Sequence, residues 1–154
     1  MSKVYSFKTI QFIPTNLNTA WDFFSNPANL QTITPRNLGF KIISKHHGHT
    51  MYAGQLIEYK VSPVLGIPLY WMTEITHVQD KQFFVDEQRF GPYALWHHQH
   101  HFEETEDGKV LMKDIVNFKL PFGILGDFFA SGFVKNKVKF IFESRFKILE
   151  EIFS

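Results

Sequence analysis

The stretch Asp127–Ser154 reads DFFASGFVKNKVKFIFESRFKILEEIFS. Wound at about 100° per residue, it puts Val134, Val138, Ile141, Phe142, Ile148, Leu149 and Ile152 on one stripe. Lys135, Lys139, Glu143, Lys147 and Glu150 fall opposite. Arg145, one of the chain's three arginines, lies within the apolar stripe. A long amphipathic helix needs an apolar surface to cover, and the residues before it read mostly as strands.

Val4–Ile13 is β-rich and stops at Pro14. Asn18 is placed to cap a short helix over Thr19–Phe24, and a second short helix is expected over Pro27–Thr32. Extended segments follow over Phe40–His46, Ala53–Val61, Leu69–Val78, Gln82–Arg89, Tyr93–Glu104 and Lys109–Leu120. The turns between the last four are short, so neighbouring strands run antiparallel in a meander of about six or seven strands. A sheet of that length curls, and the terminal helix fills its concave side. The expected fold class is α+β, in one domain spanning 1–154.

Eighteen of the 154 residues are Phe, beside three Trp and five Tyr. So many rings are hard to pack into one small core, which points to a lined cavity or an exposed apolar patch, with a merely Phe-biased core as the equal alternative. The formal net charge of +1 and the lack of a dense basic run argue against a nucleic-acid partner. Zero cysteines excludes disulfides, thiolate catalysis and cysteine zinc sites. The N-terminal residues do not read as a signal peptide, and no window reaches about 18 consecutive apolar residues, so a cytoplasmic protein without stable membrane insertion is expected.

Three segments carry a resemblance: FGPYALWHHQHHFEE (90–104), VLMKDIVNFKLPFGILG (110–126) and IFESRFKIL (141–149). Within them Gly91-Pro92-Tyr93, then Trp96, His98, His100 and Phe102 at alternate positions, Asp114 with Val116, Pro121-Phe122-Gly123 with Gly126, and Arg145 are similar to the small bacterial SRPBCC proteins of the START and polyketide-cyclase superfamily. Thr34-Pro35 ahead of Leu38 and Phe40 resembles the family's early turn. The likeness runs through essentially the whole chain. It implies a helix-grip fold with a deep apolar pocket between sheet and last helix. It implies binding of a lipid, polyketide or other hydrophobic molecule, or in some members cyclisation, dehydration or hydrolysis. It carries a pocket and not a reaction.

Strand alternation then assigns faces. Val110, Met112, Val116 and Phe118 form the more apolar face of their strand and take Asp114 inward with them. Trp96, His98, His100 and Phe102 share a face of the preceding strand. A three-residue Glu106-Asp107-Gly108 loop with Gly108 left-handed matches the two apolar faces and sets His100 opposite Asp114; a two-residue loop would bury Lys113. Glu74 and Glu87 are left as possible inward groups, and Asp86 is not singled out. A buried carboxylate must be paired or neutral, and Arg145 and His100 are the natural partners of Asp114.

The candidate ligand-binding residues are Trp71, Arg89, Tyr93, Trp96, His98, His100, Phe102, Asp114, Phe118, Phe142, Arg145 and Leu149. The polar members either brace helix to sheet as a closed network or orient a ligand. His98, His100 and Asp114 are weak candidates for acid–base catalysis, since no nucleophile or oxyanion donor stands beside them. A metal at His98, His100 and Asp114 is disfavoured, because Arg145 aimed at the same place would repel a cation; no metal and no cofactor are expected. His46, His47 and His49 read as a solvated loop. The segment Pro121–Phe133, with six large apolar residues and three glycines, is either core packing, a mobile mouth hinged on its glycines, or a patch that touches membranes or partners. The reading favours a binder of a hydrophobic small molecule, monomer or homodimer, over an enzyme or a protein-interaction module with a filled core.

Overall fold

The computed structural model describes residues 3–45, 50–62 and 66–154. The expected loop histidines His46, His47 and His49 lie outside them. In chain order the elements are β1 (Val4–Ile13), α1 (Leu17–Phe24), two 3-10 turns (Pro27–Leu30 and Arg36–Leu38), β2 (Lys41–Ile42), β3 (Gln55–Val61), β4 (Leu69–Gln79), β5 (Phe83–Phe90), β6 (Leu95–Glu104), β7 (Val110–Lys119) and α2 (Gly123–Phe153). The seven strands make one antiparallel sheet in the order β1-β7-β6-β5-β4-β3-β2, with α2 against its concave face. This is the helix-grip architecture that the element order implied.

Several boundaries move. Asn16, not Asn18, caps α1: its side chain accepts the backbone N–H of Thr19 at 2.9 Å. The expected Phe40–His46 strand shrinks to two paired residues, Lys41 and Ile42, at the sheet edge. Helix α2 starts four residues earlier than its polar–apolar period suggested, at Gly123, after Phe122 and Gly123 both adopt left-handed backbone. Gly126 is required there, because a Cβ on it would overlap the carbonyl oxygen of Pro121.

The β6–β7 hairpin follows the three-residue reading. Thr105 and Lys109 close the loop through a 2.9 Å backbone hydrogen bond, and Gly108 is left-handed at φ 74°. His100 therefore pairs with Asp114 across the strands, His98 with Val116 and Trp96 with Phe118. Between β4 and β5 the register shifts twice, near Met72–Thr73 and Ile75–His77. Such bulges bend a strand and increase its twist, which helps this sheet curl around α2.

The apolar side chains divide into two clusters. One gathers Trp21, Phe24, Phe84, Phe102, Met112 and Leu149 where α1 packs on the sheet. The other gathers Tyr5, Val116, Phe118, Leu120, Val138 and Phe142 where α2 meets β1 and β7. A polar strap ties helix to sheet edge: the Gln11 amide donates to the Phe146 carbonyl at 3.0 Å. On α2, Val138, Phe142, Arg145 and Leu149 are buried, while Ile152, expected on the buried stripe, is exposed at the last turn.

Candidate functional site

Between α2 and the concave face lies an open cavity of about 380 Å³. That is within the roughly 300–1,000 Å³ typical of small-molecule sites. Tyr59 and Trp71 from β3 and β4, Tyr93 and Trp96 near the start of β6, and Phe142 from α2 supply rings to its wall. Trp71 stacks on Tyr59 at 5.8 Å between centroids and meets Trp96 edge-on at 5.4 Å. Exposed wall residues mark where it opens: Phe122 is 84% and Phe133 55% exposed. Ile124 and Leu125 are exposed beside them, so much of the Pro121–Phe133 segment is surface and not core.

Trp71, Tyr93, Trp96, His98, His100, Phe142 and Arg145 line the cavity. Five other candidates do not. Arg89 stands on the outer face of the sheet, half-exposed and paired with Glu74 at 2.5 Å, because alternation along β5 turns it away from Phe84 and Asp86. Phe102 is packed behind the wall against Trp21, Phe24 and Phe84. Phe118 is sealed by Tyr5, Tyr93 and Trp96. Leu149 is core, and Asp114 sits beneath the histidines, 2% exposed.

The group the sequence reading passed over is Asp86. It pairs across the strands with His98 and lines the cavity, whereas Glu74 and Glu87 pair with each other on the outer face. Phe83, Phe84 and Val85 are alike in hydropathy, so periodicity in β5 could not choose a face. The β5–β6 connection is wide, and the Gln88 amide holds it by bonding both the N–H and the carbonyl of Tyr93.

Asp86, His100, Asp114 and His98 form one alternating chain. His100 Nε2 lies 2.7 Å from Asp86 Oδ2, and His98 Nε2 lies 2.8 Å from Asp114 Oδ1. His100 Nδ1 is 3.0 Å from that same Asp114 oxygen, at an angle too poor for a hydrogen bond, so the contact is electrostatic. The two imidazoles lie 3.7 Å apart, His100 stacking on Phe84 and His98 meeting Phe142 edge-on. Burial on its own would lower both histidines. In His98 burial prevails, helped by the charge of His100, and its pKa falls. In His100 the two carboxylates outweigh burial, and its pKa rises. Burial would raise the carboxyls, but the imidazoles hold Asp86 and Asp114 below the usual range. Thus the two histidines are pushed apart, His100 holding a proton more tightly than a free imidazole and His98 less tightly.

Arg145 breaks the expected pattern. It is buried, yet no carboxylate among the described residues lies within 4.0 Å of it. Its guanidinium lies over the Phe142 ring at 5.1 Å, and Nε has no hydrogen-bond partner. Burial lowers its pKa, and the fields of Asp114 and Asp86 oppose that. Burial also pushes the Tyr93 hydroxyl up to about 12, so it stays neutral. The metal-like grouping here is Asp86, His98 and His100, whose donor atoms lie within 4.8 Å of one another, and not the Asp114 set. A cation would have to break the hydrogen bond between His100 and Asp86, within the field of Arg145.

No protein-family model and no curated protein matches the sequence. Solved structures do match its fold. Ginseng major latex-like protein 151 from Panax ginseng is 12% identical over 98% of each chain, with a TM-score of 0.70. Ara h 8.0201 is 18% identical over 97% of each chain, with a TM-score of 0.64. TTHA0849 from Thermus thermophilus is 14% identical, covering 96% of this chain and 95% of that one, with a TM-score of 0.67. The chain therefore has an SRPBCC-like helix-grip fold. No helix among the described residues is long and apolar enough to cross a membrane.

Proposed function

We propose that the protein binds a hydrophobic small molecule, such as a lipid, polyketide or aromatic compound, in the cavity between α2 and the sheet. The observation that carries this reading is the cavity itself: about 380 Å³, open at one end and walled by aromatic side chains. Apolar walls supply affinity through area removed from water, and a few polar groups orient the ligand. Purification from the native host, native mass spectrometry and organic extraction of bound material test the reading. A single co-purifying hydrophobic species is expected. An empty protein that also fails to bind any member of a panel of hydrophobic dyes would sink it.

A second reading, acid–base catalysis in the same cavity, is favoured by one observation. His98 and Asp86 both face the cavity, so a proton can move between the cluster and a bound molecule. Turnover of a bound ligand, lost in His98→Gln with binding retained, would mark it as the better account.

A further inference from the structure

We infer that the ligand is a hydrophobic carboxylic acid, held as its carboxylate by Arg145 with its apolar body toward the Phe122–Phe133 mouth. This rests on the binding reading above.

Two donors in the cavity are unmatched. Arg145 and Trp71 both line the cavity, and Arg145 Nε and Trp71 Nε1 are buried without partners. Guanidinium and indole nitrogens only donate. His100 Nδ1, the third buried polar atom among the described lining residues that makes no hydrogen bond, already lies 3.0 Å from Asp114 Oδ1. At Arg145 and Trp71 the cavity therefore presents donors that no protein acceptor fills, while acceptors that line it elsewhere, on Asp86 and Thr73, are engaged by His100 and Tyr59. An alcohol would add a donor of its own, and an amine would add positive charge beside Arg145. A carboxylate brings acceptors alone and matches the two-pronged geometry of a guanidinium.

The protein's own carboxylates do not fill this need. Asp86 and Asp114 direct oxygens at His100 and His98, leaving Arg145 with their field but none of their hydrogen bonds. Water can occupy these donors when the cavity is empty. Exchanging water for a carboxylate gains a charge-assisted pair in a poorly solvated place. The placement also suits an elongated molecule. Val134 lines the cavity near its mouth and Arg145 lies eleven residues further along α2, about 16 Å at 1.5 Å per residue.

The test displaces a neutral reporter, N-phenyl-1-naphthylamine, with matched pairs: dodecanoic acid against 1-dodecanol, and 2-naphthoic acid against 2-naphthalenemethanol. Wild type, Arg145→Met and Lys137→Met are compared at neutral pH, since Lys137 is the other lysine or arginine lining the cavity. In wild type the acid of at least one pair should bind about ten-fold tighter than its alcohol, as a charge-assisted bond predicts. Which pair shows it tells a chain from a ring. Arg145→Met should erase the ratio between acid and alcohol, whatever it does to the alcohol's own affinity, and Lys137→Met should keep that ratio. If the reporter and alcohols bind wild type with no preference for acids, the acid inference fails and the binding reading stands. A preference that follows Lys137 instead also overturns it. If wild type binds neither reporter nor any probe, the binding reading itself falls.

Discussion

The sheet side and the helix side of the cavity treat buried charge in opposite ways. On the sheet, four titratable groups on β5, β6 and β7 exchange hydrogen bonds until each carboxylate has an imidazole. On the helix, Arg145 is as deeply buried but is given only a ring and distant fields. A closed polar network specifies how strands meet, whereas an open one specifies what else must come. The same cavity thus carries a structural cluster on one wall and an unfilled requirement on the other.

The sharpest way to break this contrast is to remove one partner on each side. Asp114→Ala strands two imidazoles in the core and should cost about 3–5 kcal/mol in urea unfolding, the usual penalty for opening a buried pair. Because the folded carboxyl titrates below its ordinary value, the difference from wild type should be full above about pH 3.8 and shrink as pH falls from there toward the depressed value. It should close only in stronger acid. A loss under about 1 kcal/mol would mean that the sheet cluster is as dispensable as an exposed pair.

Arg145→Met makes the opposite prediction. With no protein partner to strand, unfolding free energy should move by less than about 1 kcal/mol in either direction, since apolar replacement of a buried charge is often neutral. A loss as large as that of Asp114→Ala would make Arg145 a brace and remove the contrast.

The smallest expected effect lies within the sheet cluster. Imidazole resonances followed by NMR should show His100 titrating above its ordinary 6.5 and His98 below it. By linkage, the stability from His100 is complete below pH 6.5 and is lost as pH rises through its raised pKa. His98 acts in the opposite sense, losing stability as pH falls from 6.5 through its depressed value. Coincident midpoints would show that the two histidines share one environment, contrary to the geometry.

How much of this was legible in the sequence can be seen residue by residue. The β6–β7 register was, because burying Lys113 would cost more than a left-handed Gly108, and His100 met Asp114 as that trade required. Arg145 was visible as a cation inside an apolar helical stripe, though its supposed bond to Asp114 was not made. Arg89 was misplaced because nearness to a turn does not say which face a strand residue takes. Asp86 was overlooked because β5 is apolar on both faces and a wide, glutamine-bridged connection hides its register.

By itself, then, the sequence determined the element order, the inward faces of β6 and β7, and the buried stripe of α2. Those follow from local rules: periods of 2 and 3.6, turn chemistry and the cost of burying lysine. Only the tertiary structure decided which charges meet, because hydrogen bonds act over about 3 Å and strand registers, bulges and helix placement must all be summed first. That sum gave Asp114 two histidines and left Arg145 facing the cavity without a carboxylate.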